Sequence, residues 1–307
     1  MFLICGDNLF DMFMQPGAEP SAADFAARAG GSPFNVAIGM RRLEGAAGYF
    51  SALSTDPLGR ALRTVLENER VDLRHVRDTE RKTTLSLVTL DAEGVPAYTF
   101  YSEGAADTGV TVADLPELDD DLRGIHFGSY SIVLPPTADA LAELASRADW
   151  RLVSLDPNIR PTVEPDMSVW RERVETLMEM TDVLKISTED LGLLYPGVTP
   201  AEFAIKAFKA GVDLVAVTDG GERALGWTSA GVEAEARPPQ VDVIDTVGAG
   251  DTFMAALLTR LSQAQDMRAH IADLDAAGLE ELLAFCARAA AITCTRQGAD
   301  LPRLSDL

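Results

Sequence analysis

The chain has 307 residues, enough for one large domain or two small ones and for a sizeable core. Lysine and arginine total 26 against 48 aspartates and glutamates, a formal net charge of −22, with the acids spread along the chain, so nucleic acid and anionic membranes are excluded as natural partners. Cys5, Cys286 and Cys294 form an odd set without metal-ligand spacing, the first residues lack a basic region, and no stretch reaches the roughly 18 apolar residues of a membrane span; a reducing, cytoplasmic setting is expected.

Residues 2–5 read as a short apolar strand ending in Gly6-Asp7. Residues 34–43 and 59–69 read as helices, the second with Leu62, Val65 and Leu66 at i, i+3, i+4 spacing. Residues 83–90 and 97–101 are β-prone, and Asp91-Ala92-Glu93-Gly94 between them suits a hairpin connection. Strands at 124–127, 152–155, 183–186 and 214–217 alternate with helical segments, two of them at 141–148 and 170–180. A second hairpin spans 224–236 and turns at Ser229-Ala230-Gly231. The alternation predicts an α/β fold, a mainly parallel sheet with helices on both faces. His75, His126 and His270 lack ligand spacing and read as structural, and Trp150, Trp170 and Trp227 read as packing residues.

Chemistry concentrates in Asp245-Thr246-Val247-Gly248-Ala249-Gly250-Asp251-Thr252-Phe253. The turn Gly248-Ala249-Gly250 has almost no side-chain bulk, so its amides approach an anion closely, and the apolar helix that follows aims its unpaired N-terminal donors at the same spot. Asp251 is ill-suited to bind an anion and well suited to accept a hydroxyl proton. An ordinary strand-to-helix turn, with Asp251 supporting the helix dipole, accounts for the same residues without chemistry.

The nine-residue string resembles the C-terminal signature of the ribokinase-like sugar kinases, the phosphofructokinase B family that includes fructokinase. That resemblance implies a three-layer α/β/α domain over residues 1–307, with a β lid from about 9–18 and 83–102. It implies Asp251 as catalytic base and Gly248, Ala249 and Gly250 as the anion hole. Gly30-Gly31-Ser32-Pro33-Phe34-Asn35 is similar to the N-terminal signature, in which Gly30 and Gly31 let the backbone approach the sugar and Asn35 binds its hydroxyls; by itself the segment is a turn with Ser32 as helix cap and Pro33 at the first helical position. Asp11 resembles the family's sugar-clamping carboxylate, or is a loop acid.

Asp156-Pro157-Asn158-Ile159-Arg160-Pro161 resembles a fructokinase and 2-keto-3-deoxygluconate kinase stretch, implying Asn158 and Arg160 as substrate ligands; Arg stays charged and forks onto anions. Tyr101 stands where the lid tyrosine falls, and Ser102 replaces the arginine that usually follows it. Lys185 and Ser187 are implied on the nucleotide side, with Asp190 acting through water on Mg2+, one methylene shorter than the usual acid; Glu189 beside it is the competing carboxylate, and capping by Ser187 explains the segment without metal. Thr218, Gly220 and Gly221 resemble the nucleotide loop, whose last glycine is here Ala224. The C-terminal 293–299 stretch resembles the segment that, with Asp245, holds a monovalent cation, K+. The whole implies an ATP-dependent sugar kinase, closest to fructokinase and active with Mg2+ on a small-molecule sugar, with a homodimer through the lid; the alternatives are 2-keto-3-deoxygluconate kinase, a polyol or nucleoside kinase, or an inactive sensing relative. A dinucleotide oxidoreductase is excluded because the first strand ends in Gly6-Asp7-Asn8-Leu9, without Gly-x-Gly-x-x-Gly.

Overall fold

A computed structural model describes residues 1–15, 21–90, 96–148 and 150–307. The first half of the chain carries β1 (Phe2–Cys5), β2 (Leu9–Met14), β3 (Phe25–Gly30), α1 (Ser32–Arg42), β4 (Ala47–Phe50), β5 (Ala52–Ser54), α2 (Pro57–Asn68), β6 (Arg77–Thr79), β7 (Thr84–Leu90), β8 (Pro96–Tyr101), β9 (Gly124–Gly128) and α3 (Thr137–Ser146). The second half carries β10 (Leu152–Asp156), α4 (Met167–Met178), β11 (Val183–Ser187), α5 (Thr188–Leu194), α6 (Pro200–Ala210), β12 (Leu214–Asp219), β13 (Arg223–Thr228), β14 (Glu233–Ala236), α7 (Ala249–Ser262), α8 (Met267–Ala272) and α9 (Ala276–Cys294).

The main sheet runs β14-β13-β12-β11-β10-β9-β1-β4, parallel from β4 to β12 and antiparallel at β13 and β14. The period of a strand sends alternate side chains to opposite faces. In β1, Phe2 and Ile4 enter a core shared with α1, α2, α7 and α9, while Leu3 and Cys5 enter the core shared with α3, α4, α5 and α6. Burial on both faces is why these strands read as unbroken apolar runs, each large buried side chain giving roughly 1.5–3 kcal/mol. The result is the expected three-layer α/β/α arrangement.

A separate four-stranded sheet has the order β3-β2-β7-β8. β7 and β8 pair antiparallel and β2 pairs parallel to β7. Its β3, residues 25–30, lies outside the segments expected from the sequence. The turn expected at Asp91-Ala92-Glu93-Gly94, and residues 16–18 of the first expected segment, lie outside the described residues. Two other details differ from expectation. The cap position of α1 is Gly31, and Ser32 is the first helical residue with no capping bond. Trp150 is exposed under the Arg151 guanidinium instead of packed in a core, whereas Trp170 is fully buried. Among the described residues no helix is long and apolar enough to cross a membrane.

Candidate active site

In a parallel sheet with helices on both faces, loops leaving the C-terminal strand ends converge, and the crevice opens where neighbouring connections leave in opposite directions. Here that point is β1, flanked by β4 and β9. Asp7 and Asp11 follow β1, Asn158 and Arg160 follow β10, and Asp190 follows β11. Across this edge stands the N-terminus of α7.

Gly248 precedes α7 in the left-handed region at φ 80°, and a Cβ there would lie 2.7 Å from the Cβ of Ala299. Backbone freedom and close approach both require glycine. The Ala249 N–H turns back to the Thr246 carbonyl at 3.2 Å, so the donors left for an anion are those of Gly250 and Asp251, which lack intrahelical acceptors. Asp251 is buried. Its Oδ2 accepts from Asn35 Nδ2 at 2.8 Å and its Oδ1 from Asn158 Nδ2 at 3.3 Å. Burial raises its carboxyl above the usual range, opposed by hydrogen bonds from Asn35 and Ser32, reinforced by Asp156 and opposed again by Lys185.

Asn158 holds a non-glycine left-handed conformation at φ 43°, a strain of roughly 1–3 kcal/mol that aims its amide at the site. The same amide nitrogen donates to Ser32 Oγ at 2.9 Å. Ser32, read from sequence as a cap, therefore joins the site; its place between Gly31 and Asn35 was the only available signal.

Lys185 Nζ donates to Asp156 Oδ2 at 2.8 Å with both side chains buried, and lies 3.0 Å from a Cβ placed on Gly250. It sits against the turn at Gly250. Burial works against its charge, yet Asp156, with Asp190 and Asp251 beyond, holds its pKa above the ordinary lysine value. Beside this pair, burial and Lys185 depress His126 to about 3, so it is neutral, with Nδ1 2.9 Å from Ser154 Oγ. Ser187 caps α5 by accepting the Asp190 N–H at 3.0 Å, and Asp190 Oδ1 accepts the Ile159 N–H at 3.2 Å. Burial, then Asp156, raises Asp190 to about 6 against the pull of Lys185 and Arg160. The Arg160 charge opposes part of the rise that burial gives Asp7 and Asp11.

Asp11 lies over Gly30, whose added Cβ would meet its Oδ2 at 2.9 Å, and burial raises its carboxyl. Gly31, at φ 114°, leaves 2.5 Å between such a Cβ and the Asp7 carbonyl. Two further buried acids, Asp7 and Asp107, were not singled out as site residues. Asp7 is pushed up to about 8 by burial and then by Asp107, and its Oδ2 accepts the Ser32 N–H at 3.2 Å. Asp107 accepts from Thr84 and Tyr130 hydroxyls. A carboxylate directly after an apolar strand, as in Gly6-Asp7, was the legible sign.

Other expected residues stand farther out. Thr218 pairs with Ala224 in the β12–β13 ladder, and Gly220 and Gly221 form the exposed turn between these strands. Tyr101 ends β8 and is 60% exposed. Asp245 accepts the Val247 N–H on Oδ1 at 3.0 Å and the Gly298 N–H on Oδ2 at 2.8 Å, framing the turn ahead of Gly248. Among the described residues no group of three His, Cys, Asp or Glu side chains is placed to hold a metal ion.

Comparison with known proteins bears on the family and the fold. The model of the pfkB family of carbohydrate kinases matches residues 11–306. A fructokinase of Rhizobium leguminosarum bv. trifolii is 36% identical over 266 residues, 85% of this chain and 79% of the relative. The ATP-bound fructokinase of Xylella fastidiosa superposes with a TM-score of 0.90 at 30% identity, covering 99% of this chain and 96% of that one. A Vibrio cholerae fructokinase double mutant with fructose, ADP and a potassium ion superposes with a TM-score of 0.84 at 26% identity, covering 97% and 93%. The chain belongs to the pfkB family of carbohydrate kinases and is an ATP-dependent, fructokinase-like sugar kinase, a phosphotransferase with an alcohol as acceptor.

Proposed function

We propose that the acceptor is fructose, phosphorylated on a primary hydroxyl with Asp251 as the base. The carrying observation is that Asp251 is buried beside the Gly248–Gly250 turn, in the first turn of α7. Ionised Asp251 takes the hydroxyl proton as the oxygen attacks the γ-phosphorus in line; the proton ends on Asp251 and ADP departs. The Gly250 and Asp251 amides and the α7 dipole meet the charge on the transferring group, and Arg160 supplies a fork of donors. Asp11, Gly30, Gly31, Asn35, Asn158 and Tyr101 hold the sugar. Lys185, Ser187, Thr218, Gly220 and Gly221 form the nucleotide side. Arg160 is close enough to Asp7 and Asp11 for their charges to interact, and Ser102 adds no cation, which supports a neutral sugar over one bearing a carboxylate.

ATP is the phosphoryl donor, as the bound nucleotide in the Xylella relative supports. Asp190 spends Oδ1 on a backbone amide, and its Oδ2 suits a water of Mg2+, which when bound neutralises phosphate charge. Asp245 retains lone pairs beyond its two amides, enough for one contact to K+, the ion named with the Vibrio relative. The whole chain is one kinase domain, and the small sheet is a lid that keeps water from the phosphoryl group. The unpaired Cys5, Cys286 and Cys294 fit work in the cytoplasm. Met14 and Phe25, paired in register and 42% and 40% exposed, support a homodimer through the lid.

The test is ADP release measured over a panel of fructose, 2-keto-3-deoxygluconate, ribose and nucleosides. Fructose should give the highest kcat/KM, and Asp251→Asn should keep fructose binding while kcat falls by roughly 10²–10⁴. A variant that turns over at the parent rate removes Asp251 as the base.

A further inference from the structure

Arg28 stands on β3 directly opposite Asp11 of β2, so both side chains project from the same face of the small sheet. Its Nη1 donates to the Gln297 carbonyl at 3.0 Å, and its guanidinium lies 5.9 Å from the Phe13 ring centroid. Gly298, at φ 70°, is covered so closely that an added Cβ would lie 2.9 Å from Nη1. The Gly298 N–H in turn holds Asp245 Oδ2 at 2.8 Å, and Asp245 Oδ1 holds the Val247 N–H at 3.0 Å, one residue before Gly248. Ala299, next in the chain, packs on the Gly248 backbone. A short relay thus runs from the small sheet to the anion hole through residues that touch neither proposed substrate.

We propose that Arg28 is a positioning residue that couples closure of the sheet over the sugar to assembly of the anion hole. This rests on the reading of the sheet as a lid and of Asp251 as the base. When Asp11 engages the sugar and draws the lid down, Arg28 docks on Gln297 and Gly298 and fixes the segment that sets the Gly248 turn. With the lid raised that segment loses its outer support, so the hole that receives the phosphoryl group is complete only with sugar in place. Water is thereby a poor acceptor, and ATP is not hydrolysed to ADP and phosphate in the absence of sugar.

The experiment compares the full-length parent with Arg28→Ala and Arg28→Lys, reading kcat, KM for fructose and for ATP, thermal midpoint, and the ratio of ADP released to sugar phosphate formed. The parent should give a ratio of one. Arg28→Ala should lower kcat roughly ten- to a hundredfold, the scale set by small misplacement of a catalytic group, and raise the ratio above one. Arg28→Lys, which keeps a donor for the Gln297 carbonyl, should recover much of both. Arg28→Ala with the parent kcat and a ratio of one overturns the proposal. So does a loss of activity that follows the thermal midpoint while the ratio stays at one, since that is the signature of a packing role alone. A parent that phosphorylates no sugar would refute the proposed function instead, which separates the two failures.

Discussion

At Asp251, burial favours the neutral acid, and the amides of Asn35 and Asn158 favour the carboxylate. The net pKa is raised, so the base is ionised above that pKa and protonated below it. Turnover should therefore fall as pH is lowered, with a limb above the free-aspartate value of about 3.9. Asn35→Ala removes the 2.8 Å donor and should move this limb up by about one to two units, since a hydrogen bond to a charged group contributes roughly 1.5–3 kcal/mol. kcat measured at saturating sugar and ATP across the acid range checks it; an unmoved limb assigns the titration to another group. Asp251 and its turn were readable because the signature is contiguous. Ser32 was not, because it acts through Asn158, a neighbour that only folding supplies, and Asp7 showed only as an acid directly after an apolar strand.

Elements were legible where local chemistry and burial agree. α2 begins at an Asp-Pro pair, and Asp56 caps it by accepting the Gly59 N–H at 2.8 Å. The same carboxylate accepts the Thr83 N–H at 3.0 Å and its hydroxyl at 2.7 Å, tying the start of β7 to the helix. Partial burial opposes the charge, but these bonds outweigh it and hold Asp56 at about 2. The stabilisation is fully present above the unfolded pKa, and is lost as pH falls through the folded one. Asp56→Ala should cost about 1 kcal/mol near neutral pH, the usual loss for a cap. Denaturant titrations should show this difference from the parent shrinking between about pH 4 and pH 2, because the group then protonates in both states. β4, Ala47–Phe50, was missed because only its last two residues, Tyr49 and Phe50, favour a strand, too short a run to stand out; it is a strand because β1 lies beside it as a parallel partner. β3 is likewise made by pairing, its Phe25-Ala-Ala-Arg-Ala-Gly30 sequence lying along β2.

For the whole molecule, the small sheet is both the proposed lid and the proposed interface. Sedimentation of the parent should give a dimer, and Met14→Glu with Phe25→Glu should give a monomer, because charges placed on the paired apolar positions oppose a dry contact. A monomeric parent would refute the interface. The sequence by itself determined the layered α/β class, because strands buried on both faces must be apolar throughout and alternate with helices. It also determined the reacting end, because a bulk-free turn, a helix start and an acid fall within nine consecutive residues. The tertiary structure alone decided the company those residues keep: Lys185 against Gly250, Asn158 reaching Ser32 and Asp251, and Arg28 bridging β3 to Gln297. These contacts join positions far apart in the chain, and no local propensity or periodicity encodes a distance that closes only when separate strands share one sheet edge.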